Sequence, residues 1–307
     1  MNFIIIRDKL FFYSLLIKDF LDLSFVLEFV KRFNFFPKFS IPRRKRCVCM
    51  SSKINVIVHE WGGYKPVRQK GSKGIKNFDC GLVFQLKRYL DYHGNFNINL
   101  FVSLSDAGIY PYLDWLNKKI NNVLLVSNEG FDFSGYARFY DSIKNEENTY
   151  VILSNTSVNA IQVDFIDDYI EYMNDNLDVG LLGVSFCSRC YQSLIPYNFH
   201  PHLQSYFILT TKEVLDEIVN ANGGVFPGDG ITHKLLLIRQ GEIKLSEIAL
   251  RLGYSLAAVL EDGNIFKFKK ENIFYNGYNE WRHLPKGDMR LFVANPNKIN
   301  RIKRLNK

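Results

Sequence analysis

Four short polar segments carry the side chains best suited to bind or activate a substrate. They are HEWGGY (59–64), SLSDAG (103–108), SNEGFDFSGY (127–136) and SNTS (154–157). Asp106 and Asp132 are carboxylates, and Asn128, Asn155 and Ser157 carry amide or hydroxyl groups. Such groups hold hydroxyl-rich ligands through hydrogen bonds. Gly130 permits a left-handed backbone between Asn128 and Asp132. The same three residues also spell an Asx turn and helix N-cap, and SNTS also spells a strand-to-loop turn. Further on, His202 and Gln204 open a predicted strand, and Asp229 lies in a PGDG turn (227–230). Glu242 stands at a helix entrance, where a carboxylate either serves as a general base or complements the helix N-terminus.

Five cysteines add one more possibility. Cys47 and Cys49 form a C-x-C, and Cys187 and Cys190 a C-x-x-C. Four thiolates could hold zinc, but the pairs lie far apart, and buried inert thiols are the simpler reading. The odd count and the lack of a cleavable leader point to a reducing, cytoplasmic compartment.

The elements that must position these residues alternate. Apolar β-rich runs at 54–59, 98–103, 122–126, 150–153 and 179–186 predict strands. Helical spacing at 81–92, 111–120, 135–143 and 163–173 predicts helices between them. Strands alternating with helices imply βαβ units and a mainly parallel sheet. In such sheets ligands bind beyond the carboxyl ends of the strands, which is where all four polar segments fall. From residue 204 the pattern becomes α+β, with strands at 204–209 and 255–260 and helices at 212–219 and 243–252.

Composition narrows the class. With 47% hydrophobic and 23% charged residues among 307, the chain is globular and long enough to bury a core. The net charge of +8 sits at the ends: residues 1–50 carry +6, residues 286–307 carry +6, and the body between them carries −4. An acidic body argues against a nucleic-acid binder. Basic ends suit an anionic membrane surface, or are simply solvated. The chain divides into an apolar and basic extension (1–49), a body (50–285) and a basic tail (286–307). Charges interrupt 1–49, so no run there spans a bilayer. Interfacial helices, an extra helical layer on the body, or a true start at Met50 all remain open. There is no G-x-x-x-x-G-K-[ST] and no G-x-G-x-x-G, so kinases, P-loop NTPases and dinucleotide-binding dehydrogenases have no support. KGSKG (70–74) reads as a flexible loop.

NEGFDFSGYARFYDSIKNEENTYVILSNTSV (128–158), followed by HLQSYF (202–207), resembles the rhamnan synthesis F family and related polysaccharide-assembly glycosyltransferases. The resemblance covers roughly 120–260. It implies a GT-A-like fold: a Rossmann-like nucleotide-sugar half with a mainly parallel sheet flanked by helices, then an α+β acceptor half. It implies transfer of a sugar from a nucleotide-sugar donor to a lipid-linked or growing glycan at the cytoplasmic membrane face. Asp106, Asn128, Gly130, Asp132, Asn155 and Ser157 would border the donor, and His202 and Gln204 would line the cleft. Glu242 would be the catalytic base, with Asp229 its rival. GT-A enzymes present a strand-end D-x-D to Mn²⁺ or Mg²⁺, which stabilises the leaving diphosphate. Here that segment reads Asn155-Thr156-Ser157, with Thr156 in place of the family's Asp. The expectation is that Asp132 completes a metal site, since no Lys/Arg cluster is evident beside these loops.

Overall fold

A computed structural model describes residues 3–21, 43–72, 75–187, 202–268, 293–294 and 298–303. Its centre is an eight-stranded sheet in the order β12-β11-β7-β10-β6-β1-β4-β5. The strands are β1 (Lys53–Trp61), β4 (Asn97–Ser105), β5 (Asn122–Val126), β6 (Tyr150–Asn155), β7 (Val179–Gly183), β10 (Phe207–Thr211), β11 (Ser255–Val259) and β12 (Ile265–Phe268). Two antiparallel strands, β2 (Arg68–Ser72) and β3 (Ile75–Cys80), form a separate hairpin. A small third sheet joins β8 (Phe186–Cys187), β9 (His202–Leu203) and β13 (Val293–Ala294).

β1 pairs in parallel with both β4 and β6, and β4 with β5. This half is the Rossmann-like α/β arrangement that the alternating pattern predicts. The other half is mixed. β10 runs antiparallel between β6 and β7, and β12 antiparallel beside β11. The α+β half therefore continues the same sheet. The strand predicted at 204–209 starts later, as β10 from Phe207, while His202 and Leu203 just before it form β9 of the small sheet. The predicted loop at 70–74 is also revised, because Lys70 lies within β2 and pairs with Phe78.

Strand alternation divides the core in two. Ile54, Val56 and Val58 of β1 face one side, against Leu82, Leu86 and Tyr89 of α2 (Leu82–Leu90). α5 (Ile166–Asp175) covers the same face with Tyr169, Ile170 and Met173. Ile57 faces the other side, against Phe133, Tyr136 and Phe139 of α4 (Asp132–Ser142). α6 (Lys212–Ala221) and α8 (Lys244–Arg251) complete that layer. α3 (Leu113–Lys119) precedes β5. α7 (Lys234–Leu237) runs through a π-turn (Ile238–Ile243) into α8.

The ends are less detached than their composition suggests. α1 (Phe3–Leu21) packs Phe12 and Leu16 against Leu236, and Asp8 accepts hydrogen bonds from the backbone and hydroxyl of Thr232. Arg46, in the expected basic extension, is 2% exposed and donates to the carbonyls of Val179 and Met173. Cys49 is buried in the core beneath β1. Ile299 is also buried, within the expected basic tail. Residues 1–49 and 286–307 therefore both supply parts of the packed body. Among the described residues no helix is long and apolar enough to cross a membrane. Cys80 and Cys187 are buried and Cys47 is exposed, while Cys190 lies outside the described residues.

Candidate functional site

The carboxyl ends of β1 and β6, together with the β5–α4 loop, border an open cleft of about 370 Å³. Asn128, Asp132, Asn155 and Ser157, from two of the predicted segments, all line it. Their grouping follows from local structure. After β5 the chain turns with Gly130 at φ +95° and Phe131 at φ +50°, then enters α4 at Asp132. A side chain on Gly130 would meet the Ser134 hydroxyl, so this turn needs glycine on two counts. Asp132 in the first turn complements the helix dipole. Gly135 sits inside α4, where glycine is unfavourable by about 1 kcal/mol against alanine. A Cβ there would strike the Ser103 hydroxyl and the His59 ring. Its absence lets α4 approach β1 and β4 closely and sets Asp132 at the strand ends.

Asn155 serves both purposes its segment suggests. Its Oδ1 accepts from the Ser157 backbone at 2.9 Å, closing an Asx turn. Its Nδ2 donates to Asp132 Oδ2 at 2.5 Å. Turn and site are thus one structure. Ser105 Oγ donates to Asn128 Oδ1 at 3.2 Å, tying the third loop to β4. Asp106 does not line the cleft itself; it accepts from Trp61 Nε1, a lining residue, at 2.7 Å.

Other lining residues were not singled out individually from the sequence. Trp61 and Tyr64, within HEWGGY, meet edge-to-face at 4.8 Å. With Phe131 and Tyr206 they give the cleft aromatic surfaces for a flat base or the apolar face of a sugar. His59 is buried and its Nδ1 lies 3.0 Å from the Ser103 hydroxyl. Burial pushes the imidazole below its usual range against the opposing pull of Asp132, which favours the neutral ring.

Arg68 and Lys70 enter from β2. This corrects the expectation that no basic cluster adjoins the loops. Arg68 Nη1 donates to Glu60 Oε2 at 3.1 Å, and Nη2 donates to Thr156 Oγ1 at 2.8 Å. Thr156 Oγ1 donates in turn to Glu60 Oε1 at 2.7 Å. Burial raises the Glu60 carboxyl to about 7, against the opposing effects of Arg68 and Thr156. A two-residue alternation, Arg-x-Lys at 68–70, was the available signal.

Of the remaining predicted residues, His202 and Glu242 pair with each other beside Ser205. His202 Nε2 lies 3.4 Å from Glu242 Oε1, and His202 is 3% exposed. Glu242 Oε2 accepts from the Ser205 backbone at 3.0 Å and hydroxyl at 2.9 Å. Burial opposes ionisation of both groups. It is outweighed at His202 by Cys187 and Glu242, and at Glu242 by His202 and Ser205. The imidazole is raised and the carboxyl lowered, both directions that favour an ion pair. Gln204 bonds back to Ser185 through backbone and side chain. Asp229 is exposed on its turn, and Gly228 beside it packs near Gly130. His202, Gln204, Glu242 and Asp229 do not line the cleft.

The fit of a divalent ion follows from the donor set. Among the described residues Asp132 is the sole carboxylate on the lining, and one of its oxygens already accepts from Asn155. Thr156 is engaged with Glu60 and Arg68. Among the described residues no group of three or more His, Cys, Asp or Glu could hold a metal. One carboxylate with neutral oxygens, beside two cationic side chains, does not fit a resident Mn²⁺ or Mg²⁺.

No family model and no curated protein matches the chain. Several solved structures show a loose likeness, two of them as follows. One is CMP:2-keto-3-deoxy-manno-octonic acid synthetase complexed with CTP, 12% identical, with a TM-score of 0.30, covering 61% of this chain and 97% of that one. Another is HddC from Yersinia pseudotuberculosis, 17% identical, with a TM-score of 0.29, covering 52% of this chain and 77% of that one. At these TM-scores the likeness carries no functional inference.

Proposed function

We propose that this protein is a GT-A-like glycosyltransferase. It moves a sugar from a nucleotide-sugar donor to a lipid-linked or growing glycan in cell-surface polysaccharide assembly. One observation carries the reading. Two loops singled out by the resemblance, 128–132 and 155–157, meet across one cleft, and Asp132 is hydrogen-bonded to Asn155 between them. The aromatic wall of Trp61 and Tyr64 would receive the base or sugar, and Asn128 and Ser157 would receive its hydroxyls.

Transfer requires a group to take the acceptor proton as the hydroxyl attacks the anomeric carbon. Asp132 is the carboxylate facing the cleft, with Oδ2 held by Asn155 and Oδ1 left for the acceptor. Glu242 acts from outside the lining, holding Ser205 and so the adjoining Tyr206. The acceptor side would lie at the cytoplasmic face of a membrane. α1 favours this, because Phe3, Leu10, Phe11, Tyr13, Ile17 and Leu21 remain exposed beside Lys9 and Lys18.

A non-catalytic nucleotide-sugar or glycan binder is the second reading, favoured by the burial of Glu242 against His202 away from the lining. Turnover separates the two. The full chain is screened against nucleotide-sugars by melting temperature, since a ligand of the native state raises it. Each stabilising sugar is then supplied in labelled form with a membrane lipid extract. Label in the lipid or glycan fraction supports the enzyme. Binding without transfer of any sugar supports the binder.

A further inference from the structure

Two cations from one short strand face the loops where a GT-A enzyme would keep its metal. Arg68 and Lys70 stand two residues apart on β2, so both side chains leave the same face of the hairpin. That face meets Asn155, Thr156 and Ser157 across the cleft. Arg68 is fixed in place. It donates to Glu60 and Thr156, and its guanidinium lies 4.0 Å from the centre of the Tyr64 ring. Its Nε–H makes no hydrogen bond among the described residues, which leaves one donor open.

Lys70 is different. It makes no hydrogen bond or ion pair among the described residues, although it lines a partly enclosed cleft. Burial lowers its amine against the opposing pull of Asp132. An ammonium half-withdrawn from water without a partner is unfavourable unless an anion completes it. Glu60 offsets Arg68 incompletely, because its carboxyl titrates near neutrality. The lining thus holds more cationic than anionic charge at the position where a diphosphate needs neutralising.

We propose that Arg68 and Lys70 bind the diphosphate of a nucleotide ligand directly, in the place a divalent ion would otherwise take. Arg68, its Nη groups held by Glu60 and Thr156, offers its Nε–H and its fixed positive charge, and Lys70 supplies a mobile point charge. Thr156, which replaces the metal-binding Asp of the resembled family, anchors Arg68 through its hydroxyl and carbonyl. The loss of the carboxylate and the presence of the cation are then one exchange. On transfer, the same pair stabilises the departing nucleoside diphosphate as its bond to the anomeric carbon breaks. This inference rests on the reading of the cleft as a nucleotide-sugar site.

The test uses the full chain, with inorganic pyrophosphate and UDP as probes, by calorimetry and melting temperature, in EDTA and in Mn²⁺. Both probes should bind in EDTA, with little gain from Mn²⁺. Lys70→Met should weaken them by about ten- to a hundredfold, and Lys70→Arg should stay within a few-fold of wild type. Lys70 makes no hydrogen bond or ion pair among the described residues, so neither variant should lower the melting temperature without ligand. Binding that appears only with Mn²⁺, or that survives Lys70→Met unchanged, overturns the proposal. The two readings fail differently. Pyrophosphate bound in EDTA without turnover of any nucleotide-sugar keeps the anion site and removes the glycosyltransferase. Turnover that needs Mn²⁺ and ignores Lys70→Met keeps the glycosyltransferase and removes the anion site.

Discussion

Asn155 Nδ2 donates to Asp132 Oδ2 at 2.5 Å, joining the end of β6 to the first turn of α4. The bond spans the mouth of the cleft and fixes the carboxylate that faces it. Asn155→Ala and Asp132→Asn should each weaken donor binding, by about tenfold, and Asp132→Asn should also remove transfer. Because the two side chains touch, their effects should couple by roughly 0.5–3 kcal/mol in a double-mutant cycle of donor affinity. Additive effects would show that the contact does not serve the ligand.

Glu242 is expected to position rather than react. Glu242→Gln loses the ionic partner of His202 and weakens the bonds from Ser205. Unfolding stability should fall by roughly 1–3 kcal/mol, and donor affinity should fall with it as Tyr206 loosens. Denaturant titration and donor binding measure the two together. Transfer cut by ~10²-fold or more with both intact would return the base to Glu242.

Glu60 gives stability a pH dependence of known sign. Its folded carboxyl titrates at about 7, above the ordinary 4.5. Below about pH 4.5 it is protonated in both states and contributes no slope. Between that pH and about 7 the unfolded chain releases the proton and the folded one retains it. Stability from this group therefore falls as pH rises through the window, by roughly 3 kcal/mol in all. Urea unfolding of wild type and Glu60→Gln across pH 4.5–8 should show the slope in the first and its loss in the second.

Arg46 should be essential to folding despite lying in a basic run. Arg46→Ala removes the buried bonds to the carbonyls of Val179 and Met173, with an expected loss on the order of 2–4 kcal/mol. A chain beginning at Met50 should melt lower still, lacking Cys49 as well. Equal melting temperatures for that chain and the full one would refute the packing.

α1 should bind anionic vesicles through its exposed apolar residues. Leu10 and Phe11 are 65% and 47% exposed. The double change to serine should reduce co-sedimentation with phosphatidylserine vesicles while leaving nucleotide-sugar binding intact. Equal sedimentation of both proteins would remove the membrane contact.

The alternation of β1, α2, β4, α3, β5, α4 and β6 was legible in the sequence because it is written in local periodicity. Apolar residues two apart in strands and three to four apart in helices report their own faces. The polar segments at the strand ends were legible for the same reason, and so were Asn128, Asp132, Asn155 and Ser157. Other features depend on contacts between residues distant in the chain. Arg68 and Lys70 lie in a short hairpin whose spacing resembles a solvated loop, and only its packing beside Thr156 turns them toward the cleft. Glu242 stands at a helix entrance in sequence, yet His202 and Ser205, some forty residues earlier, hold it off the cleft lining. Arg46 looked like a solvated basic residue until β7 and α5 supplied carbonyls for it. A charge reads as exposed when its partner is remote, because local pattern records periodicity and not the partner that removes it from water.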